Sequence, residues 1–370
     1  MRHLSMAHAR GRAYSRAMGE LHGDAVVLDC HHDLILSVAR QAILGERGTF
    51  RHRWIPELRA GGVDVQVIPI STESTTPEIS LRQALQHISA FYREVELNAG
   101  QVAACTNGAE IDGALRDGRI AMILALEGAS LLGNEPSLVP ILHRLGVRMI
   151  SFTHMGRSWL GDGSGENDTG GRLTRTGVRV LAEMERLGIL MDVSHLGIAS
   201  TEHVLELATR PVIASHSSAR ALWDHHRNLT DDQLRGVART GGVIGATAIP
   251  GFVNADEPTA DRMVDHIEHM VEIVGPEHVG LGPDFIVEIY DDMLPAHAVM
   301  HVEGLDARAR IPDLFSSRHL PLVTEILQRR GFTDQQIRGV LGLNFLRVFN
   351  EVMGVARDGA PLVPDASARF

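Results

Sequence analysis

The sequence predicts a (β/α)8 barrel, a ring of eight parallel strands with helices between them. Three observations favour this class. The chain contains eight short, almost uniformly apolar runs, as expected for strands buried on both faces of a parallel sheet. Longer segments with helical periodicity separate these runs, and regular alternation of strands and helices favours a barrel. The chain of 370 residues is long enough to bury a core of that size.

The predicted strands follow one another along the whole chain. They are AVVLD (25–29), VDVQVIPI (63–70), IAMILALE (120–127), RMISFT (148–153), ILMDVS (189–194), PVIASH (211–216), GVIGAT (242–247) and HVGLG (278–282). Residues 1–24 and 284–332 exceed a minimal barrel and predict extra N- and C-terminal helices. We expect a single barrel domain over residues 1–370. A doubly wound sheet is the alternative, but no GxGxxG opens the first unit.

Two helices carry clear end signals. Thr174 is expected to cap a helix that ends at Gly188. Thr333 and Gln336 have the spacing of a capping box. The apolar stripe after this box consists of Ile337, Val340, Leu341, Phe345 and Val348, with the polar Asn344 among them. Its i, i+3, i+4 spacing predicts a helix face packed on the core.

The composition excludes several classes of function. A formal net charge of −11 argues against non-specific nucleic-acid binding and against docking on anionic membranes. All 35 basic residues are arginine, so Schiff-base chemistry, a P-loop lysine and a carbamylated lysine bridge are excluded. Cys30 and Cys105 are too few for a disulfide framework or a four-cysteine zinc site. No apolar signal core or membrane-length run is present, so we expect a soluble cytoplasmic enzyme.

Metal-capable or ionisable residues stand at the carboxyl ends of most predicted strands. In chain order they are His31 and Asp33, Glu127, His154, His195, His216 and Asp284. In a barrel these ends converge on one rim, where the catalytic sites of this fold lie. Each histidine taken singly is more readily explained as a structural hydrogen-bonding residue. Their convergence favours a metal centre, because uncompensated buried charge is expensive.

Backbone geometry suggests how two ions would be shared. His31 and Asp33 are two positions apart, so in extended chain they point to one side and can bind one cation. His195 and His216 lie on adjacent predicted strands and can bind a second cation. Glu127 is the available bridging carboxylate in a chain without lysine. These ligands suit two Zn²⁺ per chain, with Mn²⁺ or Co²⁺ as alternatives, and such a pair would hold a hydroxide.

Three further residues complete the predicted site. Asp284 is the candidate general base, which would pass the proton of a water molecule to the leaving group. His154 could polarise a carbonyl or stabilise an oxyanion. Arg227, in a loop after the sixth predicted strand, could hold a substrate carboxylate. An arginine in a polar loop is equally well explained as a solvated residue.

These residues occur in motifs that resemble the renal, or membrane, dipeptidase family of zinc metallopeptidases. The matching segments are DCHHD (29–33), LEG (126–128), FTH (152–154), DVSH (192–195), PVIASHSSAR (211–220), RN followed by DDQL (227–234), GLGPDF (280–285) and GLNFLRVF (342–349). They occur in the family's order and span nearly the whole chain. The resemblance implies an amidohydrolase-type barrel, a binuclear zinc centre and hydrolysis of dipeptides.

The resemblance also implies roles at the matching positions. The implied metal ligands are His31 and Asp33 for one ion, His195 and His216 for the other, and Glu127 as the bridge. His154 would contact the scissile carbonyl, Arg227 the C-terminal carboxylate, and Asp284 would shuttle the proton. Family members commonly accept a D-residue at the C-terminal position of the dipeptide, and many are dimers. We therefore expect a homodimer that acts on a small dipeptide-like substrate.

Two segments depart from the family pattern. The usual Asp-Phe-Asp-Gly reads Asp284-Phe285-Ile286-Val287, and the stretch MGRSWLGDGSG after His154 lacks an expected Asn. Both would line the substrate pocket. The alternative function is therefore an amidohydrolase acting on an N-acyl amino acid, a lactone or a secondary-metabolite amide. A non-catalytic barrel protein is the alternative from another class, and the retention of both the metal ligands and Asp284 argues against it.

Overall fold

A computed structural model describes residues 19–72, 76–289 and 309–355. Its centre is a sheet of nine strands. They are β1 (Val27–Asp29), β2 (Val63–Ser71), β3 (Val102–Ala104), β4 (Ile120–Glu127), β5 (Val147–Ser151), β6 (Leu190–Asp192), β7 (Val212–Ser217), β8 (Ile244–Ala246) and β9 (Val279–Leu281).

Eight of these strands form a nearly closed parallel barrel. They follow the order β1-β2-β4-β5-β6-β7-β8-β9, and each neighbouring pair is parallel. Within the described residues no strand ladder joins β9 to β1, but the Cys30 amide donates to the Leu281 carbonyl across that gap at 3.0 Å. The predicted (β/α)8 barrel is therefore confirmed.

Each predicted strand corresponds to an observed one, and the differences lie at the ends. Of the predicted run 25–29, only residues 27–29 form β1. The predicted run 148–153 corresponds to β5, which spans residues 147–151. The ninth strand, β3, was not predicted. It spans three residues and pairs with the start of β4, where Val102 lies opposite Ile120. So short a strand leaves almost no periodic signal in the sequence.

Helices surround the barrel. They are α1 (Glu20–Asp24), α2 (Leu34–Ile43), α3 (Ile55–Ala60), α4 (Pro77–Leu97), α5 (Gly108–Arg116), α6 (Val139–Arg144), α7 (Arg175–Leu187), α8 (Ile198–Leu207), α9 (Asp231–Arg239), α10 (Pro250–Val253), α11 (Ala260–Val274), α12 (Leu320–Arg329), α13 (Asp334–Arg338) and α14 (Asn344–Val352). Short 3-10 turns lie at Ser130–Leu132, Pro136–Leu138, Ser164–Thr169, Pro276–His278 and Ser317–His319, and π-helical turns lie at Phe50–Trp54 and Gly339–Leu343.

Helices beyond the minimal barrel occur at both ends of the described chain. α1 lies at the N-terminal end, and α12, α13 and α14 lie at the C-terminal end. The parts of the predicted extra segments at residues 1–18 and 290–308 lie outside the described residues.

The predicted helix ends agree with the structure. The Thr174 hydroxyl accepts a hydrogen bond from the Gly177 amide, and α7 ends at Gly188 with a φ of 73°. Thr333 and Gln336 form a reciprocal capping box at the start of α13. The stripe from Ile337 to Val348 is buried, but the π-helical turn divides it between α13 and α14.

Side-chain alternation separates the barrel interior from the layer under the helices. On β4, Ala121, Ile123 and Ala125 share one cluster with Val65 and Val67 of β2. The intervening residues of β4 join the larger cluster that packs against the surrounding helices. Residues of α5 and α14 also belong to the interior cluster, so these helices cover the amino end of the barrel. The carboxyl end is the end at which the ionisable residues gather.

No helix in the described part of the chain combines the length and the apolar character needed to cross a bilayer.

Candidate metal centre

Glu127 lies at the middle of the candidate site. It is the last residue of β4 and has the same parity as Ala121, Ile123 and Ala125, so its side chain points into the barrel. Gly128 follows with a φ of 77°, and a Cβ there would lie 3.3 Å from the His154 amide nitrogen. The glycine therefore allows a tight turn directly after the buried carboxylate.

His195 and His216 approach Glu127 from the neighbouring strands β6 and β7. The His195 Nε2 lies 2.8 Å from Glu127 Oε1, and the His216 Nε2 lies 3.7 Å from the same oxygen. The two Nε2 atoms are 2.9 Å apart. Burial lowers the pKa of both imidazoles well below the usual value, so both rings are neutral near pH 7. Two imidazole nitrogens and a carboxylate oxygen converge at this point.

His31 and Asp33 lie on the other side of Glu127. The His31 Nε2 is 3.3 Å from Glu127 Oε1 and 4.0 Å from Asp33 Oδ1. Asp33 lies at the N-cap position of α2 rather than in an extended strand. Its carboxylate nevertheless lies on the same side of Glu127 as the His31 ring. His32 faces away from the site and packs edge-on against Trp54, with ring centroids 5.2 Å apart.

The His31 side is rich in negative charge. Burial alone would lower the pKa of His31, but Glu127, Asp284 and Asp33 outweigh it and raise that pKa to about 10. His31 is therefore protonated near neutral pH when no metal is bound. A divalent cation could replace this proton and compensate the same carboxylates.

Asp284 reaches both sides of the centre. Its Oδ1 lies 3.8 Å from His31 Nε2, and its Oδ2 lies 4.0 Å from His216 Nε2. Burial, supported by the Glu127 charge, raises the pKa of Asp284 to about 6. Among the described non-glycine residues, only Asp284 has a positive φ, 60°. Such a conformation costs roughly 1–3 kcal/mol and is typical of functional sites.

His154 and Arg227 flank the cluster. The exposed His154 ring stacks on His195 with centroids 4.4 Å apart, so it faces the opening of the site. Arg227 is only 2% exposed and donates to the Ser194 carbonyl. Its Nη2 lies 3.4 Å from His195 Nε2, and its Nε has no hydrogen-bond partner among the described residues. Arg227 is thus a buried cation of the site rather than a solvated loop residue.

The donor atoms form three overlapping groups. They are His31, Glu127 and His216; Glu127, His154 and His195; and His31, Asp33 and Asp284. Within each group one ligand atom per residue lies within 4.8 Å of the others. Neutral imidazoles and carboxylates suit divalent transition ions, and Glu127 belongs to two of the groups. The residues therefore fit a metal centre, and all eight predicted site residues gather at this end of the barrel.

Sequence reasoning assigned no role to Asp192 and Ser215. Asp192 belongs to the motif DVSH (192–195) and Ser215 to the motif PVIASHSSAR (211–220). Both lie behind His216, where the Ser215 Oγ is 2.8 Å from His216 Nδ1. The available signal was a buried acid at the end of a strand, three residues before His195.

The chain is similar to several known proteins. Residues 15–360 match the sequence profile of a family described as membrane dipeptidase, peptidase family M19. The chain is 34% identical over 280 residues to dipeptidase verJ of Clonostachys rogersoniana, covering 75% of this chain and 67% of that protein. It is 31% identical over 288 residues to dipeptidase tcpJ of Claviceps purpurea (strain 20.1), covering 77% of this chain and 63% of that protein. The chain thus spans about two thirds of the length of these relatives.

A solved structure shares the fold. It is a metallopeptidase from Rhodobacter sphaeroides, liganded with a phosphinate mimic of the dipeptide L-Ala-D-Ala. Its TM-score is 0.77 at 23% identity, and the match covers 89% of this chain and 99% of that one.

Proposed function

The chain belongs to the membrane dipeptidase family, peptidase family M19, and we propose that it is a zinc-dependent dipeptidase. Membership of this family makes it a hydrolase of the metallo-dipeptidase class. The observation that carries the proposal is the convergence of three buried imidazoles on Oε1 of Glu127, at distances between 2.8 and 3.7 Å. A purely structural carboxylate would not need three histidines at one oxygen.

The proposed metal ligands divide into two halves. His31 and Asp33 would hold one Zn²⁺, His195 and His216 would hold the other, and Glu127 would bridge them. When bound, such ions would lower the pKa of a water molecule to about 7 and would polarise the substrate carbonyl. Mn²⁺ or Co²⁺ would fit the same nitrogen and oxygen donors.

Arg227 would bind the C-terminal carboxylate of the substrate. Its guanidinium is buried beside His195, its Cζ lies 5.3 Å from the Phe252 ring centroid, and its Nε is unpartnered within the described structure. A buried guanidinium with an unused N–H favours an anion. The dipeptide mimic bound by the Rhodobacter sphaeroides metallopeptidase supports a dipeptide with a D-residue at its C-terminal position.

Asp284 would move the proton during hydrolysis. It takes a proton from the attacking water as the new C–O bond forms, and it returns that proton to the amine as the C–N bond breaks. In the metal-free protein, burial raises the pKa of Asp284 to about 6, so this carboxylate can gain and lose a proton near neutral pH. His154, at the opening of the site, would donate a hydrogen bond to the carbonyl oxygen as negative charge develops there.

The test combines metal analysis with a substrate panel. We expect about two zinc ions per chain, turnover of L,D and L,L dipeptides, loss of turnover with a chelator and recovery on adding zinc. N-acyl amino acids serve as the controls. Faster turnover of these controls would favour the alternative amidohydrolase activity, and the absence of stoichiometric metal would refute the proposal.

The carboxylate assignment has its own test. Replacing Arg227 by Met is expected to raise KM for a dipeptide about 10–100-fold, because a charged hydrogen bond contributes about 1.5–3 kcal/mol. The variant should no longer distinguish the dipeptide from its C-terminal amide. Arg329→Met is the matched control, since Arg329 is an exposed arginine of α12 paired with Asp261. Unchanged discrimination in the Arg227 variant would contradict the assignment.

A further inference from the structure

Behind His216 lies a hydrogen-bonded group that the proposed mechanism does not use. Asp192 ends β6 and is 3% exposed. Its Oδ1 accepts hydrogen bonds from the Ser194 amide at 3.0 Å, the Ser215 amide at 2.9 Å and the Ser194 hydroxyl at 2.6 Å. Its Oδ2 accepts the Ser215 hydroxyl at 2.5 Å. Four donors therefore compensate this buried carboxylate.

The proton count in this group determines the protonation of His216. A serine hydroxyl has one proton, and that of Ser215 is donated to Asp192. The Ser215 oxygen is then an acceptor, and His216 Nδ1 lies 2.8 Å from it. His216 must therefore carry its proton on Nδ1. The lone pair of its Nε2 is left facing His195 Nε2, 2.9 Å away.

The other two histidines of the centre lack this arrangement. The Nδ1 atoms of His31 and His195 are buried and have no hydrogen-bond partner within the described residues. A second contact also fixes the His216 backbone, because its amide donates to the Ser194 hydroxyl oxygen at 3.1 Å. His216 is thus held at both its ring and its backbone by residues bonded to Asp192.

We propose that Asp192 and Ser215 are positioning residues that hold His216 in its Nδ1-protonated form, with Nε2 ready to bind the ion. The inference rests on the proposed function, since it assumes that His216 is a metal ligand. A hydrogen-bond acceptor behind a ligand histidine fixes its tautomer and orientation and increases its basicity. The half-site of His195 and His216 should therefore bind metal more tightly than it would without this group.

Two serine variants test the proposal with matched chemistry. Ser215→Ala removes the acceptor at His216 Nδ1. Ser194→Ala removes a hydroxyl that bonds the same carboxylate and the His216 amide but not the His216 ring. Both serines are buried, with exposed fractions of 1% for Ser194 and 0% for Ser215. We expect Ser215→Ala to weaken zinc affinity by about 10–100-fold and Ser194→Ala by only a few-fold. Equal losses would indicate a merely structural role and overturn the proposal.

Asp192→Asn tests the same proposal through the carboxylate. An amide nitrogen in place of Oδ2 would donate to Ser215, whose hydroxyl proton would then turn toward His216 Nδ1 and move the imidazole proton to Nε2. We expect a loss of zinc affinity at least as large as that of Ser215→Ala. Wild-type affinity in this variant would overturn the proposal.

Further readouts separate metal binding from stability. Ser215→Thr retains the hydroxyl and should restore most of the affinity. Saturating zinc should restore most of kcat in Ser215→Ala, while metal-free melting temperatures report folding of every variant. A kcat that zinc does not restore, in a folded variant, would contradict a positioning role. If the wild-type protein itself binds no zinc, the proposed function fails and this inference fails with it. If the wild-type protein binds zinc and the variants lose no affinity, only this inference fails.

Discussion

Asp29 and Asp192 occupy equivalent places but have different surroundings. Each is the buried last residue of a strand, and each precedes a histidine of the centre by two or three positions. Asp192 receives four hydrogen bonds. Asp29 accepts the His31 amide at 2.9 Å, but its Oδ2 has no partner in the described part of the chain. Burial raises the pKa of Asp29 to about 7.

The difference extends to the two proposed half-sites, which differ in charge and in hydrogen bonding. The His195–His216 half has neutral nitrogen donors. Ser215 links one of them, the His216 ring, to the compensated carboxylate of Asp192. The His31–Asp33 half has a histidine that is protonated without metal, among carboxylates that favour a cation. We expect the first half to bind zinc tightly, and the second half to bind more weakly and to tolerate oxygen-preferring ions such as Mn²⁺.

Replacing Glu127 by Gln should have the largest effect, because Oε1 of Glu127 is the atom nearest to both halves. We expect kcat/KM to fall by at least about 10³-fold and the zinc content to fall below two per chain. Metal analysis and steady-state kinetics measure both. Two bound zinc ions together with near wild-type activity would show that the halves do not share this oxygen.

Asp284→Asn should have the next largest effect and should leave both halves intact. Asn tolerates the positive φ at this position but cannot accept the proton, so kcat should fall by about 10²–10⁴-fold. Zinc content should stay near that of the wild type. Full activity would show that Asp284 does not move the proton. Loss of zinc would instead indicate that Asp284 is a metal ligand.

His31→Ala and His216→Ala compare the halves directly. We expect His31→Ala to retain one tightly bound zinc, and His216→Ala to bind its remaining zinc about 10–100-fold more weakly. Titration with a competing chelator measures the affinities. Equal zinc affinities in the two variants would contradict the proposed difference between the half-sites.

Asp29→Asn should have the smallest effect, and it acts on stability. The folded pKa of about 7 exceeds the ordinary value of 3.8, so the folded protein binds an extra proton between these pH values. The free energy of unfolding therefore falls as the pH rises through this window. The variant should be more stable than the wild type by about 1–2 kcal/mol at pH 8, with the difference shrinking toward pH 4.

Denaturant unfolding of the metal-free protein measures this effect. Asp192→Asn is the matched comparison, and it should be destabilised at pH 8, because it breaks a satisfied network. A stabilised Asp192 variant, or an Asp29 variant whose relative stability does not change with pH, would contradict the contrast between the two carboxylates.

The sequence predicted the barrel and the gathering of the site residues for one reason. In a parallel barrel all strand ends of one kind meet at one rim, so His31 and Asp284 become neighbours whatever the details of packing. The register between neighbouring strands was not predictable in this way. The contact between Ser215 and Asp192 depends on the register of β6 and β7. The burial of Arg227 depends on a loop path without periodicity.

The backbone conformation of Asp284 has a consequence for the evolution of this protein. Glycine would adopt the same φ of 60° without steric cost, so Asp284→Gly should relax the turn while removing the acid. Selection for thermal resistance alone would then favour a glycine variant that lacks the proposed proton carrier. Persistence of the aspartate would record selection for turnover, because at this position tolerance of heat and reactivity are opposed.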